Sequence, residues 1–311
     1  MMDDMDKISR RDAIKLMGLG AASLAAAGLF PPFAEAGAVR GPRTGDFLPA
    51  LNADDDPQTH YAEPVVYEGP DVVIRQIDEH TWEGNGHLVY NETIYLVEGS
   101  ERALLIDAGT KIEGLDKIVA GITPKPVTLV ATHVHPDHTG SAIHDFPEIW
   151  INAADTVNVA SSMRGYKGKV NYLSDGQVFD LGGRRIEVIF TPGHTPGSTC
   201  FFEMDGRPWG YSGDAFGSTN LLLTTNFSTL VATTTRIERY LRLHGIGKMY
   251  PGHYHGDNPE TPQRVSDLRR MSEEMLDGRR KGEPTGAATG LNAHIRDFGV
   301  NINYRDPEGL K

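Results

Sequence analysis

Residues 132–140 read Thr132-His133-Val134-His135-Pro136-Asp137-His138-Thr139-Gly140, which places three histidines and one aspartate within six residues. They follow residues 127–131, an apolar run typical of a buried strand. Alternate side chains of an extended segment point the same way, so we expect His133 and His135 to face one point. Pro136 disfavours helix at the preceding residue, and we expect Asp137 and His138 to face a neighbouring point as a helix begins. Neutral imidazole is a preferred ligand of zinc, so the stretch predicts a metal site. A histidine tag would not place Asp and Pro at a strand-to-helix junction.

Three further candidates follow along the chain. His194 lies in a Pro- and Gly-rich loop after the apolar run 186–190, Asp214 follows a short strand that includes Tyr211-Ser212-Gly213, and His253 follows another near 250. Each lies beside glycine, where backbone passes close to a site. Singly, each is also typical of an ordinary loop histidine or turn aspartate. In this order, and together with residues 132–140, they indicate one site.

The order H-x-H-x-D-H, G-H-T-P-G, S-G-D and P-G-H resembles the metallo-β-lactamase superfamily, over residues 70–260. The resemblance implies an α/β fold, an αββα sandwich in a single domain, with the metals at the strand ends of one edge. It also implies one metal on His133, His135 and His194, a second on Asp137, His138 and His253, and Asp214 bridging the two.

The resemblance also implies a mechanism. A hydroxide that bridges the two metals attacks the substrate, and one metal stabilises the developing anion. Asp137 is the catalytic candidate, which would orient the hydroxide and shuttle a proton. Tyr211, Tyr254 and His255 are candidates for contacts with the ligands or the substrate, although a buried tyrosine or a solvent-exposed histidine explains them equally well.

Asp214 separates the chain from true β-lactamases, which have cysteine or serine at this position. The aspartate resembles that of glyoxalase II-type thioesterases, lactonases and phosphodiesterases. We therefore expect hydrolysis of an ester, lactone or thioester, with β-lactamase, alkylsulfatase and phosphoester or organophosphate hydrolase as alternatives. A metal-binding module without turnover is the non-enzymatic alternative. Nitrogen and oxygen ligands suit Zn, Fe, Mn, Co and Ni, and zinc is the first expectation for both divalent ions.

The composition and net charge limit the classes of partner and of covalent cross-link that the chain can have. The chain of 311 residues has a net charge of −12, which disfavours nucleic acid and leaves a small-molecule substrate. Cys200 is the only cysteine, so an intrachain disulfide is excluded, and its apolar neighbours predict a buried strand position. The sequence has no coiled-coil pattern and leaves the oligomeric state open.

The N-terminal segment is typical of an export signal. Residues 1–36 carry Arg10-Arg11, an apolar stretch at 16–33 and Ala34-Glu35-Ala36 as a cleavage site, which resembles a twin-arginine signal. Glycines and Pro31-Pro32 interrupt the stretch, which is short for a stable span, so we expect cleavage after Ala36, no lasting membrane anchor and a periplasmic or secreted protein. Residues 37–62 are expected to be a flexible leader, and 63–311 the hydrolase domain.

Periodicity predicts the remaining elements. Strands are expected at 72–77, 93–97, 103–106, 127–131, 149–151 and 186–190, and helices at 112–122, 153–163, 229–243 and 259–282.

Overall fold

A computed structural model describes residues 61–88, 91–286 and 290–310. Apart from Gly290, these residues belong to one unit, which comprises Thr44–Ala287 and Leu291–Lys311. The expected export signal at 1–36 lies outside the described residues, as does the leader at 37–62 except for Tyr61 and Ala62. No helix within the described ranges is long and apolar enough to cross a membrane.

The described strands form three sheets, and the strands expected from sequence are all present. The first sheet follows chain order: β1 (Val65–Glu68), β2 (Val72–Asp78), β3 (Thr81–Gly86), β4 (Thr93–Glu98), β5 (Ala103–Ile106), β6 (Val127–Val130), β7 (Glu148–Ile151) and β8 (Lys169–Tyr172). The second has the order β14-β12-β11-β10-β9, from β9 (Val178–Asp180), β10 (Arg185–Phe190), β11 (Thr199–Glu203), β12 (Trp209–Gly213) and β14 (Lys248–Pro251). The third has the order β13-β17-β16-β15, from β13 (Asn220–Leu222), β15 (Glu283–Pro284), β16 (Ala293–Asp297) and β17 (Val300–Tyr304).

The helices occupy the expected regions with different ends. They are α1 (Leu115–Ile122), α2 (Thr156–Ser162), α3 (Phe227–His244) and α4 (Pro262–Leu276), with short 3-10 helices at Ser141–Asp145, Ala153–Asp155, Gly217–Thr219 and Glu308–Leu310. α4 is shorter than expected because the side chain of Thr261 caps its start, Pro262 opens its first turn, and Gly278 at φ 77° follows its end. The helix expected after His138 is a 3-10 helix that begins only at Ser141.

The central strands of both large sheets are buried on both faces. Leu104 and Leu105 are adjacent on β5, yet Leu104 packs into the core between the two sheets and Leu105 packs toward α1. Cys200 and Phe201 alternate in the same way on β11, with Cys200 fully buried on the side of α3 and α4. The result is the expected αββα order of layers. Burial on both faces explains why these strands read as continuous apolar runs.

The strand ends bring the loops that carry the His, Asp and Gly motifs to one edge. β6 continues into residues 132–140, and β12 and β14, which pair in parallel, end at Gly213 and Pro251. Two backbone bonds join the sheets here: the Thr199 N–H donates to the Thr132 carbonyl over 2.8 Å, and the Thr93 N–H donates to the Gly252 carbonyl over 2.7 Å. Parallel neighbours end at the same edge, so the loops that follow them meet there.

Candidate metal centre

Three histidine rings converge beyond the end of β6. Nε2 of His133 lies 3.1 Å from Nδ1 of His135 and 3.1 Å from Nε2 of His194, and the last two nitrogens are 3.0 Å apart. A tetrahedral cation with nitrogen ligands at about 2.0–2.1 Å would separate those nitrogens by about 3.3 Å. The triangle is therefore close to the size that a metal ion requires.

Hydrogen bonds to the opposite ring nitrogens orient two of these rings. Nδ1 of His194 donates to the carbonyl of Leu222 over 2.8 Å, which turns its Nε2 toward the triangle. Nδ1 of His133 lies 3.1 Å from the hydroxyl oxygen of Thr132, whose own proton is donated to Asp107. Burial, followed by the neighbouring histidines, lowers the pKa of His133 well below its usual range and that of His135 to about 3. Both rings are therefore neutral near pH 7, as metal ligands must be.

A second group lies beside the first. Asp137, His138, Asp214 and His253 each offer one ligand atom, and these atoms lie within 4.8 Å of one another. Oδ2 of Asp214 is 3.4 Å from Nε2 of His253, and on its other side 3.7 Å from Nε2 of His194. Asp214 therefore lies between the two groups, in the place of the bridging carboxylate that the sequence motifs imply.

Charges in the second group oppose the effect of burial. Burial lowers the pKa of His138, but Asp137, Asp214 and Asp107 together raise it well above its ordinary value. Asp214 likewise raises the pKa of His253 against burial. Burial raises the pKa of Asp214, but His253 and His138 hold it well below its usual range. The group concentrates negative charge and attracts protons, so a bound cation would displace protons from it.

The residues fit a divalent metal ion. Among the described residues, Nε2 of His138 and Oδ1 of Asp214 are buried and without a hydrogen-bond partner, 3.6 Å from each other. Buried polar atoms are seldom left unpaired unless something else binds them. Gly252 leaves room beside both, because a Cβ there would lie 2.3 Å from Oδ1 of Asp214 and 2.7 Å from Cε1 of His138. The cluster is compatible with divalent metal binding.

Two buried aspartates that the sequence analysis missed hold these loops. Asp107 follows β5 in a left-handed conformation at φ 64°, and accepts from the Thr132 N–H, from the Thr132 hydroxyl and from Nδ1 of His138, at 2.7, 2.8 and 2.8 Å. The signal was available, since Asp107 follows a buried strand and precedes Ala-Gly, much as Asp214 follows one and precedes Ala.

Asp155 joins the first two histidine loops to each other. Its carboxylate accepts from the N–H groups of Val134 and Gly197, at 2.9 and 2.7 Å, and from the hydroxyl of Thr195 at 2.9 Å. Val134 lies between His133 and His135, and Thr195 follows His194, so one side chain aligns both loops. No local pattern predicts this role, because Asp155 begins a helix in sequence and only the fold turns it toward the loops.

The three candidates for contacts with the ligands or the substrate have different surroundings. Tyr211 is fully buried between the sheets, where its hydroxyl donates to Glu203 over 3.1 Å, so it does not face a substrate. Tyr254 is also buried, and its hydroxyl donates to the carbonyl of Gly256 over 2.6 Å. His255 is half-buried and its N–H donates to Oδ1 of Asn258. The backbone of Tyr254 also has contacts next to His253, since its N–H donates to the hydroxyl oxygen of Thr93 over 2.9 Å.

Comparison with known proteins agrees with the fold. The sequence model of the Metallo-beta-lactamase superfamily matches residues 88–274. Acyl-coenzyme A thioesterase MBLAC2 of Gallus gallus is 29% identical over 216 residues, which cover 56% of this chain and 76% of that protein. An atrochrysone carboxyl ACP thioesterase of Aspergillus fumigatus is 32% identical, over 38% of each chain. Among solved structures, a metallo-beta-lactamase from Pontibacter korlensis superposes with a TM-score of 0.51 at 20% identity, covering 65% of this chain and 99% of that one.

The chain belongs to the metallo-beta-lactamase superfamily, as the sequence motifs suggested. It is a hydrolase of that superfamily and acts on a small-molecule substrate.

Proposed function

We propose that the chain is a binuclear metal-dependent hydrolase that cleaves an acyl thioester or a related carboxylic ester. The observation that carries the proposal is the position of Asp214, whose Oδ2 lies within 4.0 Å of ring nitrogens from both ligand groups. A carboxylate between two closely spaced cations screens their repulsion. Relatives named as acyl-CoA and acyl-carrier-protein thioesterases support the thioester as the bond that is cleaved.

The two ligand groups would hold one ion each. His133, His135 and His194 form the first group, and Asp137, His138 and His253 form the second, with Asp214 shared. Two divalent ions supply a water of lowered pKa and an electrophile for the substrate carbonyl. Zinc is our first proposal for their identity, because imidazole and carboxylate suit it.

The chain's own residues have distinct roles in this proposal. Oδ2 of Asp137 lies 3.5 Å from Nε2 of His253 and 3.7 Å from Nε2 of His138, and the side chain is partly exposed. It can therefore accept a hydrogen bond from the attacking water and pass a proton to the departing thiolate or alkoxide. The neutral rings of His133 and His135 keep their lone pairs at pH 7, and Asp107 and Asp155 hold the loops in place.

The test combines metal analysis with a substrate panel on the full chain. We expect two metal ions per chain, together with turnover of acyl-CoA or another thioester that exceeds turnover of lactone, cephalosporin, sulfate ester and phosphodiester substrates. Preferred turnover of a cephalosporin or a phosphodiester would replace the proposed bond with one of the alternatives. Two ions without turnover on any substrate would favour the metal-binding module, and a metal-free chain would remove the proposal.

We also propose that residues 1–36 direct export and are cleaved after Ala36. The paired arginines, the interrupted apolar stretch and the small residues at 34 and 36 support this. Mass spectrometry of the protein from its native cells should find Gly37 at the N-terminus. A chain that still begins with Met1 and remains in the cytoplasm would contradict the proposal.

A further inference from the structure

The loop after β14 carries His253, and hydrogen bonds with side chains hold both backbone groups of the next residue, Tyr254. The Tyr254 N–H donates to the hydroxyl oxygen of Thr93 over 2.9 Å. The Tyr254 carbonyl accepts two hydrogen bonds, from the hydroxyl of Tyr61 over 2.6 Å and from Nδ2 of Asn85 over 3.0 Å. Three separate parts of the chain thus hold one residue, which follows His253 directly.

The orientation of the Asn85 amide is set by its neighbours. Nη1 of Arg75 donates to Oδ1 of Asn85 over 2.7 Å, and an arginine can only donate, so Nδ2 must point the other way. That nitrogen reaches the Tyr254 carbonyl and also lies 3.1 Å from the Thr93 hydroxyl. Arg75 is itself fixed, because its Nη1 also lies 3.3 Å from the buried carboxylate of Glu83.

Tyr61 belongs to the same arrangement. The guanidinium carbon of Arg75 lies 3.9 Å from the centre of the Tyr61 ring, within cation–π distance. The rings of Tyr61 and Tyr254 meet edge to face, with centroids 6.0 Å apart. Arg75 therefore supports both donors that reach the Tyr254 carbonyl, although Tyr61 and Asn85 are 24 residues apart in sequence.

We propose that Tyr61 and Asn85 are positioning residues for His253, and that they act redundantly through the Tyr254 carbonyl. The proposal rests on the proposed metal site, in which His253 belongs to the second ligand group. Nε2 of His253 must remain near Asp137 and Asp214. Backbone bonds hold Gly252 on one side of this histidine, and the side chains of Thr93, Tyr61 and Asn85 hold Tyr254 on the other. Either donor alone satisfies the carbonyl, whereas loss of both leaves a buried acceptor unpaired and frees the loop to move.

The test is a double-mutant cycle with Tyr61→Phe and Asn85→Leu on the full chain. Cobalt(II) serves as the probe, with its visible absorption followed during titration and during competition with a chelator. We expect each single variant to bind the second equivalent of cobalt within about 3-fold of wild type. The double variant should bind it about 10–100-fold more weakly, as is typical when partners of a metal ligand are lost. The first equivalent should change little, because His133, His135 and His194 lie on other loops.

Two controls separate positioning from general damage. Asn171→Leu removes another buried strand asparagine, which donates to Glu148 on β7, and should leave both cobalt affinities unchanged. If Asn85→Leu does not fold, Tyr61→Phe combined with Thr93→Val tests the hold on the same residue, Tyr254, through its carbonyl and its N–H, and carries the same expectation.

The possible outcomes distinguish failure of the positioning role from failure of the proposed function. A double variant that binds the second cobalt like wild type, or that loses both equivalents to the same degree, would overturn the positioning role. A wild-type chain that binds no cobalt would instead overturn the proposed function, and the positioning role with it. Weaker binding of the second equivalent of cobalt in the double variant, with both single variants close to wild type, would support the proposal.

Discussion

Nδ1 of His138 donates a hydrogen bond to the carboxylate of Asp107 over 2.8 Å, and both side chains are almost completely buried. The bond turns the other nitrogen of the ring, Nε2, toward Asp214 and Asp137, where it has no hydrogen-bond partner among the described residues. A carboxylate behind a metal-ligating histidine fixes the ring and makes it more basic. Asp107 thus acts on the second ligand group without belonging to it.

Asp107→Ala should therefore weaken metal binding and stability together. We expect metal affinity to fall about 10–100-fold and the free energy of unfolding to fall by about 1–3 kcal/mol, since the Thr132 N–H loses its acceptor. Chelator competition and denaturant unfolding measure the two effects. Asp145→Ala is the matched control, because Asp145 also accepts from a backbone N–H, that of Leu115, but lies outside the ligand groups. Equal metal affinity in wild type and Asp107→Ala would contradict the assigned role.

Asp214→Ala should affect both ligand groups at once. Its Oδ2 lies between His194 and His253, so its removal takes a ligand from each proposed ion. We expect metal content to fall below one ion per chain, and activity to fall by more than the roughly 10–100-fold that follows loss of an outer partner. Elemental analysis and thioester hydrolysis measure these quantities. Asp205→Ala, which removes an exposed partner of Arg185, is the control. Two ions and full activity in Asp214→Ala would disprove the bridging position.

Gly252→Ala should disturb the site through a single methyl group. The added Cβ would lie 2.3 Å from Oδ1 of Asp214, so the carboxylate or the loop must move. We expect a clear loss of bound metal and of activity, with the far-UV circular dichroism of wild type. Gly247→Ala is the control, since a Cβ at that position meets nothing within 4 Å. If both variants keep their metal, the loop is more adaptable than the contact distances imply.

Tyr211→Phe should change stability and leave activity nearly unaltered. The Tyr211 hydroxyl is buried between the sheets and donates to Glu203, so it is not available to contact a substrate. We expect a loss of about 0.5–1.5 kcal/mol in the free energy of unfolding, the usual contribution of one hydrogen bond. kcat and KM should stay within about 2-fold of wild type, because no ligand contact is lost. A large decrease in kcat would restore Tyr211 as a catalytic candidate.

Glu83 should make stability depend on pH. Burial is the largest influence and raises the pKa of Glu83 from 4.5 to about 8, against the opposing effect of Arg75. The folded state therefore retains a proton that the unfolded state has lost between these values, so this contribution to stability falls as pH rises through that window. Glu83→Gln cannot lose the proton. We expect its melting temperature, relative to wild type, to increase from pH 5 to pH 9, and a constant difference would show that Glu83 does not titrate there.

Much of the fold could be predicted from local patterns. Apolar runs in the sequence predict four of the strands, namely β2, β4, β5 and β10. A sheet that is covered on both faces selects apolar side chains at successive positions. Helix ends were less predictable, as at α4, where the capping of Thr261 and the turn at Gly278 decide the length. The third sheet was not predicted at all. Its strand β13 pairs with β17, about 80 residues later, and such pairings leave no mark in a local window.

Within the site, sequence motifs predict the candidate metal ligands, whereas they do not predict the residues that hold those ligands in place. The seven ligand candidates could be read from sequence because each follows a strand in a short motif of His, Asp, Gly and Pro, and the structure brings all seven together in two adjacent groups. Tyr211 illustrates the converse, since its place beside the S-G-D motif suggested a site residue, whereas the alternation of β12 turns its ring into the core.

The sequence by itself determined the superfamily, the layered α/β fold and the set of side chains available to a metal, because these depend on residue types in short, ordered motifs. Only the tertiary structure decided which nitrogen of each ring faces the site and which groups hold it there. Asp107, Asp155, Tyr61 and Asn85 act across separations that no local pattern records, and a buried polar side chain acquires a role only when folding brings its partner within about 3 Å.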